Sequence, residues 1–342
     1  MTTIRTGLRL AAPAMSAVLL AGALAACGGA ASGGDASAVR KDGSVDLSKV
    51  TLRVGDQKSG AQPLLQAAGQ LKNVPYKITW SEFTSGPPLL EAVNAGAVDV
   101  GQVGNAPPVF SAAARSDIRI IYGFTAGLKG QTIEVPKNSP IHTIAQLRGK
   151  RIAVAKGSSA HFHLLSVLTK NGMTMADIKP QFLQPGDALA ALTSGSVDAW
   201  AIWDPYSAQA EADAGTRVLV DGTGYANGFS FQVSSKPILA DKAKVAALRD
   251  YLTRYQKSMT WVNAHPKGWA KVWSQVTGMP QNVTLRAAHR RHLAPIPLNA
   301  ATLANEQRVA DAFSDAKQIP GRVVMKDFVD DRFADVARGS GS

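Results

Sequence analysis

Four short turns carry residue types suited to holding a small anion: Gly55-Asp56-Gln57-Lys58-Ser59-Gly60, Ser85-Gly86-Pro87-Pro88, Gly104-Asn105-Ala106-Pro107-Pro108 and Lys156-Gly157-Ser158-Ser159. Each follows an apolar segment and opens a helical one. A helix N-terminus offers unpaired N–H groups and a partial positive charge, and Ser or Asn adds side-chain donors without bulk. Several such turns converging on one cleft would make a site for a compact oxyanion. Taken singly, Ser85, Asn105 and Ser159 also read as ordinary N-caps and the glycines as turn residues, so both readings stand. Asp56 likewise either faces a ligand or caps the turn that follows it.

The histidines point away from metal chemistry. His161 and His163 are two apart on a predicted helix and face different ways. His289 and His292 have a spacing compatible with a metal, but the intervening Arg290 and Arg291 favour a solvated basic turn at a ligand rim. No cofactor and no metal are expected.

Turns of this kind need a scaffold that gathers them, and the apolar pattern supplies one. Segments 51–55, 76–82, 98–100 and 118–124 read as strands, the last apolar enough to be buried on both faces. Helical runs alternate with them: one after Gln62-Pro63 ending at Leu71, then 87–94 and 107–114. The pattern restarts with strands at 151–155, 179–183 and 197–202 and helices at 160–171 and 187–193. After Pro237 the chain turns helical over 241–264, 266–276, 280–289 and 301–316. Such alternation implies a mostly parallel sheet with helices on its faces, and turns at the carboxyl ends of its strands are where ligands bind. Segments 132–135 and 229–233, each followed by a proline, read as strands that cross between two lobes. The resulting division is a leader at 1–26, a tether at 27–49, one lobe from 50–133 plus 236–342, and a second from 134–235.

The leader has Arg5 and Arg9, no acidic residue, and an apolar stretch from Leu10 to Leu24. Leu24-Ala25-Ala26-Cys27 resembles a bacterial lipobox, which implies cleavage before Cys27 and a lipid on its sulfur. The chain is then exported and anchored to the outer face of the cell membrane. Cys27 is the single cysteine, so the folded body has no disulfide, no Cys-ligated zinc and no thiol nucleophile. Gly28–Ser37 is too rich in Gly, Ala and Ser to bury apolar area, and the body is expected to begin near Val50. The net charge of +12 falls to +10 once Arg5 and Arg9 are removed. The basic residues are dispersed without an aromatic-interleaved stripe, which argues against nucleic acid and leaves an anionic ligand or surface as partner. No apolar run after the leader is long enough to span a bilayer.

Longer motifs bring the reading to a family. Trp80-Ser81-Glu82-Phe83 with Ser85-Gly86-Pro87, the run from Leu90 to Gly101, Lys156-Gly157-Ser158-Ser159-Ala160-His161, and Val197 to Tyr206 through Trp203-Asp204-Pro205 resemble the aliphatic sulfonate-binding proteins of ABC importers. Taurine-binding and nitrate-binding proteins are relatives. The resemblance implies a type II periplasmic solute-binding fold, two α/β lobes joined by two crossing hinge strands, acting as a monomeric receptor that delivers an organosulfonate to permease subunits. It implies a cleft lined by Gln57, Ser85, Gly86, Asn105 with Ala106, Ser158, Ser159, His161, Trp203 and Asp204. Amide and hydroxyl donors would hold the sulfonate without a lysine or arginine clamp. Trp203 and Tyr206 would cover an alkyl tail, with core packing the other account of Tyr206. Two positions depart from the family pattern: Asp56 stands where the family commonly has Tyr, and Asn105 where it commonly has Asp. Taurine, nitrate, a sulfate ester or another small organic anion are the alternative ligands. Enzymes on a similar scaffold, a sulfinate-cleaving desulfinase and a thiamine-pyrimidine-forming type, would need a cysteine in the body.

Overall fold

The computed structural model describes residues 36–58 and 60–339. Cys27, the leader and the tether through residue 35 lie outside the described residues. From Thr51 the chain forms β1 (Thr51–Asp56), α1 (Ala61–Ala67), β2 (Lys77–Glu82), α2 (Gly86–Asn94), β3 (Val100–Gly104), α3 (Ala106–Ala113) and β4 (Ile118–Thr125). It continues through β5 (Gln131–Pro136), β6 (Arg151–Val154), α4 (Ser159–Lys170), β7 (Lys179–Phe182), α5 (Pro185–Thr193), β8 (Ala199–Trp203), α6 (Tyr206–Asp213) and β9 (Thr216–Asp221). The last third is β10 (Phe229–Ser235), α7 (Lys236–Ala240), α8 (Lys242–Ala264), α9 (Pro266–Thr277), α10 (Gln281–Arg290), β11 (Ala294–Ile296) and α11 (Ala300–Asp315).

Two mixed sheets result, ordered β11-β4-β10-β3-β1-β2 and β7-β6-β8-β5-β9. β1 lies parallel to β2 and β3, and β6 parallel to β7 and β8. β10 runs antiparallel between β3 and β4, and β5 runs antiparallel between β8 and β9. Both sheets therefore carry the antiparallel strand of the expected type II fold. The carboxyl ends of the parallel strands are followed by the Gly- and Ser-rich turns, and each turn feeds a helix start.

Where structure and pattern differ, local chemistry explains it. The two segments expected to cross between lobes do not cross: 132–135 lies in β5 of the five-stranded sheet and 229–233 in β10 of the six-stranded sheet. The chain passes from one sheet to the other through the glycine-bearing stretches 126–130 and 222–228, where Gly127, Gly224 and Gly228 take positive φ. β3 begins at Val100 rather than at 98, because Asp99 is committed to side-chain work: its buried carboxylate accepts from Arg53 N at 2.8 Å and from Lys244 Nζ at 3.1 Å. α1 stops at Ala67, short of Leu71, as Gly69 and Asn73 take positive φ. The body also starts earlier than Val50, since Ala38 is fully buried and Val39, Val45 and Leu47 pack against the core of the six-stranded lobe. α6, β9 and β11 were not anticipated. β9 is a half-exposed edge strand and β11 a three-residue edge strand containing Pro295, so neither has a strong apolar alternation.

Candidate functional site

A cleft with a cavity volume of about 100 Å³, partly open to solvent, lies where the turns of the two sheets meet. Of the residues expected there, Gln57, Gly86, Ser158, Ser159, Trp203 and Asp204 line it. Ser158 is the N-cap of α4, its Oγ accepting from His161 N at 3.2 Å, which leaves its hydroxyl proton free to donate. Ser159 follows in the first helical position. Gly86 opens α2 against the start of α3, and a Cβ there would come within 2.6 Å of Pro107 Cγ. Gln57 donates through Nε2 to Gln102 O at 2.8 Å, which fixes its amide across β1 and β3. Trp203 ends β8, with Tyr206 edge-on to its ring at 6.0 Å between centroids.

The other six expected residues lie behind the lining, each with a physical reason. Asp56 points into the start of α1: its Oδ1 accepts from Ala61 N at 2.7 Å and Gln57 N at 2.9 Å, and its Oδ2 from Gln62 N at 2.8 Å. This is a helix cap, and Gly60 makes room for it, since a Cβ there would collide with the carboxylate. Ser85 is fully buried and donates to Gln184 Oε1 at 2.8 Å. Asn105 donates to Asn227 Oδ1 at 2.8 Å, which itself accepts from Phe229 N at 3.0 Å. Ala106 is buried at the start of α3. His161 is enclosed by Phe110, Phe182 and Phe313, with centroids at 6.0, 5.5 and 5.1 Å, and burial lowers it to about 4. Tyr206 packs on Trp203 behind the wall.

Four polar residues of the lining were missed: Ser230 of β10, and Arg291, Gln102 and Gln131. Arg291, read as part of a solvated basic turn at a ligand rim, is half-buried and brings a guanidinium to the cleft, held over the rings of Trp269 and Trp273 at 5.6 and 5.7 Å. The expected donor set named amides and hydroxyls alone, and the lining adds this guanidinium to them. Burial lowers its pKa, but a guanidinium keeps its charge. Gln102 sits mid-strand in β3, its Oε1 accepting from Tyr255 Oη at 2.7 Å, so that its amide nitrogen is the group left to donate. Gln131 opens β5, and its buried Nε2 has no hydrogen-bond partner among the described residues. The signal for Gln102 was in the sequence, as a lone amide inside Val100-Gly101-Gln102-Val103-Gly104 is out of character for a buried strand.

Asp204 is the one carboxylate on the lining. Its Oδ1 accepts from Ala208 N at 3.1 Å and lies 3.5 Å from Arg290, whereas its buried Oδ2 has no hydrogen-bond partner among the described residues. Burial pushes it up to about 6, against the pull of Arg290. Gly130 admits it, because a Cβ there would lie 2.5 Å from Oδ2. Among the described residues no group of His, Cys, Asp and Glu is arranged to hold a metal, and no helix is long and apolar enough to cross a membrane.

The lining thus combines a cation and amide and hydroxyl donors with the apolar surfaces of Val103, Pro107, Trp203 and Phe229. Comparison with known proteins agrees with this chemistry. Residues 72–279 match the family model described as ABC transporter, phosphonate, periplasmic substrate-binding protein. An Escherichia coli (strain K12) protein named for aliphatic sulfonate binding is 36% identical over 284 residues, covering 81% of this chain and 88% of its own length. A Bacillus subtilis (strain 168) protein of the same description is 31% identical over 319 residues, covering 91% and 92%. The structure of the alkanesulfonate-binding protein SsuA from Xanthomonas axonopodis pv. citri, bound to MOPS, superposes with a TM-score of 0.76 at 37% identity, covering 82% of this chain and 98% of that one.

Proposed function

The chain belongs to the periplasmic substrate-binding family of ABC transporters, and from that premise we propose that it is the receptor that closes around an aliphatic sulfonate and hands it to permease subunits for sulfur acquisition. One observation carries the ligand class: Arg291 and the helix-start hydroxyls of Ser158 and Ser159 share a cleft with Trp203 and Phe229. A sulfonate is a tetrahedral monoanion on an apolar tail, so the donors match its head and the rings its chain. The binding role is supported by relatives named as binding proteins. The leader and Cys27 support a receptor held at the outer face of the cell membrane by a lipid; Cys27→Ala is expected to release it or leave an unprocessed precursor on cell fractionation.

A second reading, an aminosulfonate or hydroxysulfonate ligand, is favoured by Asp204, a lining residue whose buried Oδ2 has no hydrogen-bond partner among the described residues. Calorimetry with C1 to C8 alkanesulfonates, taurine, isethionate, sulfate and nitrate tests both. The expected result is saturable binding of a sulfonate that weakens in Ser159→Ala by about tenfold or more, the loss of one hydrogen bond to a charged group. Binding of nitrate or sulfate with no sulfonate bound would overturn the reading.

A further inference from the structure

Thr84 Oγ1 and Ser85 Oγ both donate to the same atom, Gln184 Oε1, at 3.0 and 2.8 Å. The donors follow β2 and the acceptor follows β7, so these bonds join the two lobes. Their place in the sheets matters. The chain passes between the lobes from β4 to β5 and from β9 to β10, and β2 and β7 are the opposite edge strands, each three strand positions from β10 or β5. At the usual strand spacing this puts the contact about 14 Å across each sheet from the crossings. A small rotation at glycine-bearing crossings is largest at that edge.

Neither side chain is serving its own helix. Ser85 is the N-cap residue of α2 and Gln184 that of α5, yet neither makes a side-chain cap bond. Ser85 is nevertheless fully buried, and a hydroxyl buried without a partner is costly, so separation of the lobes at this edge requires water to replace Gln184. The other side-chain polar contacts between the lobes among the described residues join α10 to α6 and the end of β8, beside the crossing at Gly130: Arg290 reaches Glu211 at 2.6 Å, Ser207 Oγ at 3.2 Å and Asp204 at 3.5 Å, and Arg286 reaches Glu211 at 2.8 Å.

We propose that Gln184, with Thr84 and Ser85, is a clasp that holds the lobes shut at their far edge, setting how long a ligand is retained without touching it. Closure around a sulfonate rests on the function proposed above; the clasp itself does not. The chemistry is specific, because both partners are donors and the position requires an acceptor. A carboxylate at 184 satisfies both hydroxyls, whereas an apolar side chain of similar size satisfies neither.

The test compares the full chain with Gln184→Leu, Gln184→Glu and Ser85→Ala. Small-angle scattering without added ligand is expected to give a larger radius of gyration for Gln184→Leu and Ser85→Ala, with Gln184→Glu matching the unaltered protein. Stopped-flow release of MOPS is expected to quicken by about tenfold in Gln184→Leu and to remain unchanged in Gln184→Glu, the loss of two neutral hydrogen bonds. Equal radii for Gln184→Leu and the unaltered protein, or equal opening in the Leu and Glu variants, would overturn the clasp. Failure of MOPS to bind any of the four would count against the sulfonate reading, and the scattering comparison would still decide the clasp.

Discussion

Ser159 Oγ, at the first position of α4, occupies the space that a side chain at Gly104, the last residue of β3, would need. The two residues belong to different lobes and both line the cleft. Glycine is therefore required at 104 by the approach of the other lobe, with no demand on its φ.

From this contact, Gly104→Ala is expected to hold the lobes apart and weaken sulfonate binding, by the roughly 1–3 kcal/mol typical of overpacking. Ser159 Cβ is 3.0 Å from the same spot, so removing the hydroxyl alone leaves the site tight. Gly104→Ala combined with Ser159→Gly clears both atoms and recovers the overpacking share of the loss, though not the hydrogen bond of Ser159. Calorimetry on the singles and the double measures this; unaltered affinity in Gly104→Ala would show that the lobes do not need this approach to bind.

Arg291 is expected to supply the main charge for an anionic head. Arg291→Gln should weaken binding of alkanesulfonates by about 10- to 100-fold, the range for a hydrogen bond to a charged group. Arg291→Lys keeps the charge but loses the planar stacking on Trp269 and Trp273, and should fall between the two. Equal affinities for all three proteins would remove Arg291 from the ligand.

Most of the fold could be read from the sequence because it depends on period. Leu52 and Val54 of β1, and Ile118, Ile120 and Ile121 of β4, are buried where apolar strand residues were expected. The cleft was legible only where a local motif makes the site: Ser158, Ser159, Gly86 and Asp204 are parts of helix starts or strand ends. Ser85 and Asn105 occupy similar turns, but their partners Gln184 and Asn227 are 99 and 122 residues away and carry no signal that names them. Arg291 was hidden for the same reason. Beside Arg290, which pairs with Glu211, it looks like one of two solvated arginines until Trp269, Trp273 and the Gly127 crossing enclose it.

The burial of His161 predicts a pH effect with a definite sign. Phe110, Phe182 and Phe313 lower it to about 4 from an ordinary 6.5. A histidine with a lowered folded value adds stability above about 6.5 that is lost as pH falls toward 4, because only the unfolded chain then takes up the proton readily. Burial lowers His163 to about 4 as well, so it acts in the same direction. Asp56 and Asp204, raised to about 6, act oppositely and gain stability as pH falls through that value. The clean measurement is the difference in melting temperature between His161→Phe and the unaltered protein. It should be constant above pH 6.5 and shift in favour of the variant as pH drops toward 4; a constant difference throughout would place no proton on His161 in unfolding.

The two carboxylates near the cleft separate a capping role from a recognition role. Asp56 is the one that stands out in the sequence, in place of a family tyrosine, yet its oxygens are occupied by three backbone N–H groups of the turn and α1. Asp204 is a residue of the lining, and its buried Oδ2 has no hydrogen-bond partner among the described residues. Asp56→Asn should therefore lower the melting temperature, since an amide cannot accept at both positions, and should change the affinities for ethanesulfonate, isethionate and taurine in parallel. Asp204→Asn should change them unequally. Taurine carries an ammonium and isethionate a hydroxyl that Oδ2 can accept from, and ethanesulfonate carries neither, so the substitution should cost taurine most and ethanesulfonate least. Asp204 remains ionised above about pH 6, so the preference for taurine should fade as pH falls through that value. Parallel losses for all three ligands in Asp204→Asn would reduce its role to holding Ala208 N and Arg290, and the acceptor on the lining would have no part in choosing the ligand.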